Sequence, residues 1–281
     1  MRAAWMRLGP WLPFELTTSG ASRRGCANCL VCTSERTVRC AVMKELNMPK
    51  NDHNDRQELA AAPSIVDQPV WDTALSELRT REKAATHELD AIAAARRRLP
   101  MVELPEYLLE GADGPVRLVD VFDGKRQLIV YSHMWFPGET WQCSGCTGLT
   151  SQYTRLEFLN PYDARFVIVT QGPIDEALAY KARVGNKMVW LSTANSSFGT
   201  DMGAPPGGGF QVNVFLRVGD TVYRTYNTQG RGTEQLSHTF ALIDLLPYGR
   251  QEDWQDSPDG WPQSPAGSKW PPSEAFAQYA D

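Results

Sequence analysis

No stretch of this 281-residue chain approaches the roughly 18 consecutive apolar residues of a membrane-spanning helix, so no membrane partner is expected. A basic excess is missing too. The formal net charge is −5, and a nucleic-acid binder normally presents a positive face, so no nucleic-acid partner is expected. Phosphate-loop and dinucleotide fingerprints are absent, as are His-Glu-x-x-His and Gly-x-Ser-x-Gly, which leaves out the enzyme classes built on them. Cysteine is scarce, with six in the chain, too few for a disulfide scaffold of this length. Pro10, Pro13 and Glu15 interrupt the apolar core that a secretory signal would need. The expected setting is the reducing cytoplasm, where a close cysteine pair is more often catalytic or metal-binding than structural.

What is present is ordinary for a globular protein: 42% hydrophobic and 22% charged residues, enough for one good-sized domain with extensions. Residues 1–47 carry Cys26, Cys29, Cys32 and Cys40 among Arg, Ser and Thr without periodicity. The first three have the spacing of part of an iron–sulfur run, but Cys40 stands too far on and has no proline after it. The favoured reading is a disordered extension, or a start placed too far upstream with Met43 or Met48 as the beginning. With the polar stretch 48–68, residues 1–68 are expected to be extension and linker.

Residues 69–100 read as an N-terminal helix, over Trp71 to Leu99, with Leu75, Leu78, Leu89 and Ile92 near helical spacing. Asp72 or Thr73 can cap it, and Arg96-Arg97-Arg98 complements its C-terminal dipole before Pro100. His87 is expected to be exposed on it.

Residues 101–248 alternate strands and helices. Strands are expected at Leu104–Leu109, Val116–Leu118, Leu128–Tyr131, Ala164–Thr170 and Met188–Ser192, with one helical turn at Leu118–Phe122. Helices are expected at Thr147–Phe158 and Asp175–Val184. A hairpin follows, Val212–Val218 and Thr221–Thr228 turning at Gly219-Asp220, then a closing helix over Thr233–Leu246. The loop 204–209 is Pro- and Gly-rich, and the Pro/Trp-rich tail 249–281 is expected to wrap the surface as coil. The fold class is α/β: a thioredoxin-like sandwich, a central mixed sheet flanked by helices.

Chemistry concentrates at Cys143-Ser-Gly-Cys146, where a buried strand ends and a helix can begin. A thiol at a helix start is favoured as thiolate, the attacking form. Cys143 is the expected nucleophile and Cys146, one turn on, the resolving thiol. The substrate would be a protein or small-molecule disulfide, or a peroxide. In the peroxidase alternative, Thr140 stands three residues before Cys143, and Arg217, Arg224 or Arg231 would stabilise the thiolate. In the other alternative the domain is a non-catalytic binding module or a metal site. Two cysteines are half of a tetrahedral zinc set, and His133 and the N-terminal cysteines are too distant to complete it. Neither a metal nor a cofactor is therefore expected. His133 reads as a packed strand-end residue, and His238 lacks an acid pattern that would make it a base. Trp135, Trp141, Tyr223 and Tyr226 could line a cleft beside the pair, although strand aromatics are usually core.

Several segments together resemble the DUF899 family of bacterial proteins, of the thioredoxin-like group. They are Arg96-Arg-Arg-Leu-Pro100, Leu128-Ile-Val-Tyr131 with Met134-Trp135, Cys143-x-x-Cys146-Thr147, Val214-Phe-Leu-Arg217, Tyr223-Arg-Thr-Tyr226, Leu245-Leu-Pro-Tyr-Gly-Arg-Gln-Glu-Asp-Trp254 and Ser257-Pro-Asp-Gly-Trp-Pro262. The resemblance runs from about Pro69 to Trp270. It implies the fold and no particular activity. A thioredoxin-type site also places a cis-proline before the strand facing the cysteines. Here Gly209-Phe-Gln211 precedes Val212 instead.

Overall fold

The structure, a computed structural model, describes residues 62–205 and 208–279. The expected extension, most of the linker and the four N-terminal cysteines lie outside the described residues.

Apolar alternation builds the centre. In β4 (Gln127–His133), Leu128 and Val130 point to one face of the sheet, while Tyr131 and His133 point to the other. β5 (Ala164–Thr170) lies parallel beside it, pairing Leu128 with Arg165 and Tyr131 with Ile168. On the other side of β4 runs β7 (Gln211–Val218), antiparallel, followed by β8 (Thr221–Gln229). The hairpin turns at Gly219, whose φ of +61° suits glycine.

With β1 (Val102–Glu103), β2 (Leu108–Gly111), β3 (Gly114–Arg117) and β6 (Val189–Ser192), the described residues form one sheet of order β1-β8-β7-β4-β5-β6-β2-β3. The run β8-β7-β4-β5, in which β7 alone runs antiparallel to the other three, is the core of a thioredoxin-like fold. β4 is the switch point, because the chain leaves it first toward β5 and later returns on its other side as β7. Ligand sites in open α/β sheets form at the carboxyl end of such a strand.

Helices cover both faces. One core packs Leu128, Val130, Val167, Val169 and Phe215 under the single turn α2 (Leu118–Val121), after α1 (Gln68–Arg96). The other packs Tyr131, Ile168, Trp190 and Tyr180 under α3 (Ser144–Thr150) and α4 (Ile174–Arg183). α5 (Phe198–Asp201) and α6 (His238–Ile243) complete the set.

Several expected boundaries move, each for a local reason. Of the strand expected at Leu104–Leu109 only Leu108 and Leu109 are strand, in β2, while β1 ends just before it at Glu103. Leu104 still donates its N–H to Val222 O, but Pro105 has none to give. α1 starts after Asp67 with Pro69 in its first turn, so neither Asp72 nor Thr73 caps it; the Thr73 hydroxyl bonds back to Pro69 O. No residue of α1 is buried, so the stripe Leu78, Leu89 and Ile92 is exposed. His87 is exposed, as expected. At the helix end Arg98 donates to Ala94 O at 2.7 Å, the expected match of cation to carbonyl.

The helix expected at Thr147–Phe158 instead spans Ser144–Thr150, followed by a 3-10 helix at Leu156–Tyr162. Thr147 and Thr150 turn their hydroxyls back onto Cys143 O and Cys146 O, a pattern that competes with helix propagation. The closing helix also divides: a 3-10 helix at Gly230–Leu236 precedes α6, which Ser237 caps through Phe240 N. The tail is more than coil. It makes a bridge between Glu252 and Ser264 and ends in a 3-10 helix, Ser273–Tyr279.

Candidate active site

His133 ends β4, and the loop after it returns to the sheet face. Trp135 packs edge-on to Tyr180 and fills the space a side chain on Gly172 would take. Gln142, buried, closes this loop: its Oε1 accepts from Phe136 N at 2.7 Å and its Nε2 donates to Glu139 O at 2.9 Å. Cys143 is thereby fixed as the cap residue of α3, and Cys146 falls one turn in, as the spacing predicts.

The two thiols, both free, have opposite surroundings. Cys143 is half-buried. The Cys146 thiol within hydrogen-bonding reach, and the backbone N–H groups of Cys146 and Gly145, bring its pKa down to about 6 against the opposing effect of burial. Cys146 is buried among Tyr131, Leu149 and Trp135, and burial pushes its thiol well above the ordinary value. The Tyr131 hydroxyl donates to Cys146 Sγ at 3.3 Å, an interaction that favours the thiolate of Cys146. A thiolate-prone outer sulfur beside a protonated inner one can attack first and be displaced second.

Behind α3 a polar chain ties the tail to the site. Thr147 Oγ1 and Tyr180 Oη lie 2.7 Å apart, and Ser273 Oγ donates to Gln142 O at 2.6 Å. The Trp270 indole occupies the space a side chain on Gly145 would need, and Phe276 comes within 3.2 Å of that of Gly148. Arg250 holds the start of the tail, donating to Asp244 at 2.7 and 2.8 Å and to Glu234 at 2.8 Å. Between α3, α6 and the tail lies a cavity of about 800 Å³, lined by both cysteines.

The other residues singled out in the sequence are dispersed. Trp135 is core, Trp141 lies under Arg183, and Tyr226 lies under Arg96; none of the four expected cleft aromatics lines the cavity. Phe210, Phe240, Trp270 and Phe276 line it instead. Trp270 and Phe276 sit in sequence read as coil, and only the paired glycines of α3 hinted that something packs there. Thr140 borders a separate, smaller cavity. Arg217 bonds to Gly219 O on the hairpin and Arg224 to Met202 O. Arg231 does border the Cys143 cavity, with its guanidinium on Glu234 and over the Trp254 ring.

His133 is a packed strand-end residue, fully buried against Trp190, and burial lowers its pKa to about 4. His238 packs on Tyr153. Among the described residues no three or more His, Cys, Asp or Glu side chains gather as a metal site, which leaves the metal-binding alternative without a ligand set there. No helix of the described residues is long and apolar enough to cross a membrane. No cis peptide occurs among the described residues, and Phe210 occupies the approach to β7.

No curated protein matches the chain. Solved structures similar to it include the peroxidoxin BcpB of Mycobacterium tuberculosis, 13% identical with a TM-score of 0.38, over 52% of this chain and 97% of that one. Peroxiredoxin Q of Xanthomonas campestris is 11% identical at a TM-score of 0.36, over 48% and 87%. A chain described as a thiol:disulfide interchange protein, DsbE, from Chlorobium tepidum is 17% identical at 0.34, over 48% and 93%. The family model for bacterial proteins of unknown function termed DUF899 matches residues 60–273, a span that includes the cysteine pair, the whole sheet and most of the tail. The chain therefore belongs to the DUF899 family.

Proposed function

We propose that the protein is a thiol–disulfide oxidoreductase with Cys143 as nucleophile and Cys146 as resolving thiol. The observation that carries this reading is the asymmetry of the pair. Cys143 borders the cavity with its pKa lowered to about 6, while Cys146 is buried behind it with its pKa raised.

The Cys143 thiolate attacks one sulfur of a substrate disulfide. It forms a mixed disulfide and releases the first thiolate. Cys146, losing its proton to the departing thiolate or solvent, then attacks Cys143 Sγ and releases the second. The substrate gains two electrons, the pair becomes a disulfide, and an external dithiol restores it. A reducing cytoplasmic setting suits such a cycle. Peroxide reduction draws less support. Thr140 borders a different cavity, and of the three candidate arginines only Arg231 borders that of Cys143, where its guanidinium is engaged by Glu234.

Equilibrating the full chain with dithiol/disulfide buffers and trapping its thiols tests the reading. The pair should form one reversible disulfide with a potential between about −120 and −270 mV, the span of known exchangers. Cys143→Ser should abolish turnover, and Cys146→Ser should accumulate the mixed disulfide. Thiols that stay reduced and unreactive across that range would sink the proposal.

A further inference from the structure

The cysteine pair does not stand on an open convex surface, where a folded protein could lay its own disulfide across it. The tail roofs it. Trp270 covers Gly145, Phe276 covers Gly148, and Ser273 is bonded to Gln142 O beside Cys143. Arg250, only 10% exposed at its side chain, anchors the roof through two carboxylates and stacks on Phe240. What the pair faces is a cavity of about 800 Å³, within the range of about 300–1,000 Å³ typical of small-molecule sites. Met134, Leu149, Phe210, Phe240, Ile243 and Trp270 supply apolar and aromatic wall.

Charge on the wall is unequal. Four cations, Lys187, Arg231, Arg250 and Lys269, face two carboxylates, Glu234 and Glu252. Glu234 is already shared by Arg231 and Arg250, and Arg250 is also paired with Asp244, which leaves Lys187 and Lys269 against Glu252. Glu252 accepts from Trp254 Nε1 at 2.6 Å and from Gly267 N at 2.8 Å. Lys269 donates to the neutral amide of Gln251 at 2.7 Å, so its charge is not cancelled by that contact. An apolar cleft with surplus positive charge and a nucleophilic sulfur at its wall selects its occupant on three counts: ring-sized apolar bulk, an anionic group and an electrophilic sulfur.

We propose that this cavity is the substrate site and that it takes a low-molecular-weight, apolar or aromatic disulfide carrying a carboxylate or similar anion, to the exclusion of protein disulfides. The proposal rests on the oxidoreductase reading for its chemistry, but the binding site it describes does not need the cysteines to react. Exchange follows the two steps above, both halves of the disulfide leaving as thiolates.

The probe is 2,2′-dithiodibenzoate, a disulfide with two aromatic carboxylates. Calorimetric titration into the full-length Cys143→Ser/Cys146→Ser chain should show one saturable site. Binding should weaken at least tenfold with Ile243→Trp, which fills the cavity, and with Lys269→Glu, which reverses a wall charge without altering the core. Circular dichroism checks the folding of each variant, and Lys269→Glu alone decides if Ile243→Trp unfolds. No binding, or binding that Lys269→Glu leaves unchanged, overturns the site. In the unsubstituted chain the probe should oxidise the pair at least tenfold faster than the dication cystamine or the disulfides of insulin. Equal or reversed rates overturn the selectivity. Binding without any exchange keeps the site and defeats the oxidoreductase reading; exchange without saturable binding does the opposite.

Discussion

The ring of Trp270 lies where a side chain on Gly145 would have to stand, so the residue between the two cysteines and a residue 125 positions later share one space. Glycine at position 145 is explained by a contact rather than by backbone strain. The tail is accordingly part of the site.

Gly145→Ala should cost about 1–3 kcal/mol, the usual penalty for forcing atoms into a packed position. Trp270→Ala should also destabilise, by lost burial. Because the two share one contact, the double variant should lose less than the two singles combined. Urea denaturation of the four chains checks this. Strict additivity would show that the indole and the glycine do not meet.

Cys143 alkylation by iodoacetamide should rise with pH through a midpoint near 6. In Cys146→Ala the midpoint should move upward, since the neighbouring thiol is the largest influence holding the Cys143 pKa down. The same lowering links to stability. A thiol whose folded pKa lies below its unfolded value of about 8.5 stabilises the fold fully above that value, and the contribution fades as pH falls through about 6. A rate profile that is identical in both chains would refute the coupling.

Tyr131→Phe removes the donor to Cys146 Sγ and raises that thiol further. The first attack, by Cys143, should be nearly unchanged, and resolution of the mixed disulfide should slow severalfold. Quenched-flow mass spectrometry separates the steps. The lost hydrogen bond should cost about 1 kcal/mol of stability. If the first step slowed instead, Tyr131 would be acting on Cys143.

His133 offers a pH test away from the thiols. Its Nδ1–H donates to Met134 O at 2.8 Å, Nε2 has no partner among the described residues, and its pKa falls from 6.5 to about 4. The unfolded chain therefore binds the proton first. Stability should decline as pH falls from about 6.5 to about 4 and the His133 contribution should then level off, a loss of up to about 3 kcal/mol from this group. His133→Leu should remove that part of the pH dependence. Denaturation midpoints of both chains between pH 4 and 7 measure it, and parallel curves would contradict the burial of a neutral imidazole.

Local chemistry was enough to place the core strands. The apolar runs Leu128–Tyr131 and Ala164–Thr170 can only be buried strands, and Gly219-Asp220 can only turn a hairpin tightly, so β4, β5, β7 and β8 were legible. Cys143-Ser-Gly-Cys146 was legible as a strand-to-helix thiol motif because two-residue spacing and a following helix fix both sulfurs locally. The length of α3 was not. The same threonines that extend a helix in a periodicity count withdraw it by bonding to the carbonyls behind them.

The cavity could not be read at all. Its walls come from α3, the approach to β7, α6 and the tail, which no periodicity connects. The aromatics expected beside the cysteines went elsewhere: Tyr223 and Tyr226 because register decides which face a strand residue meets, and Trp135 and Trp141 because the loop after β4 brings them against Tyr180 and Arg183. By itself, then, the sequence determined the strand order's raw material and the place of the cysteine pair, since both are set by residues close along the chain. Only the tertiary structure decided that Cys146 is buried with its pKa raised, that Tyr131 bonds to Cys146, and that Trp270 and Phe276 roof Gly145 and Gly148. Each of those depends on burial and on contacts between residues far apart in sequence.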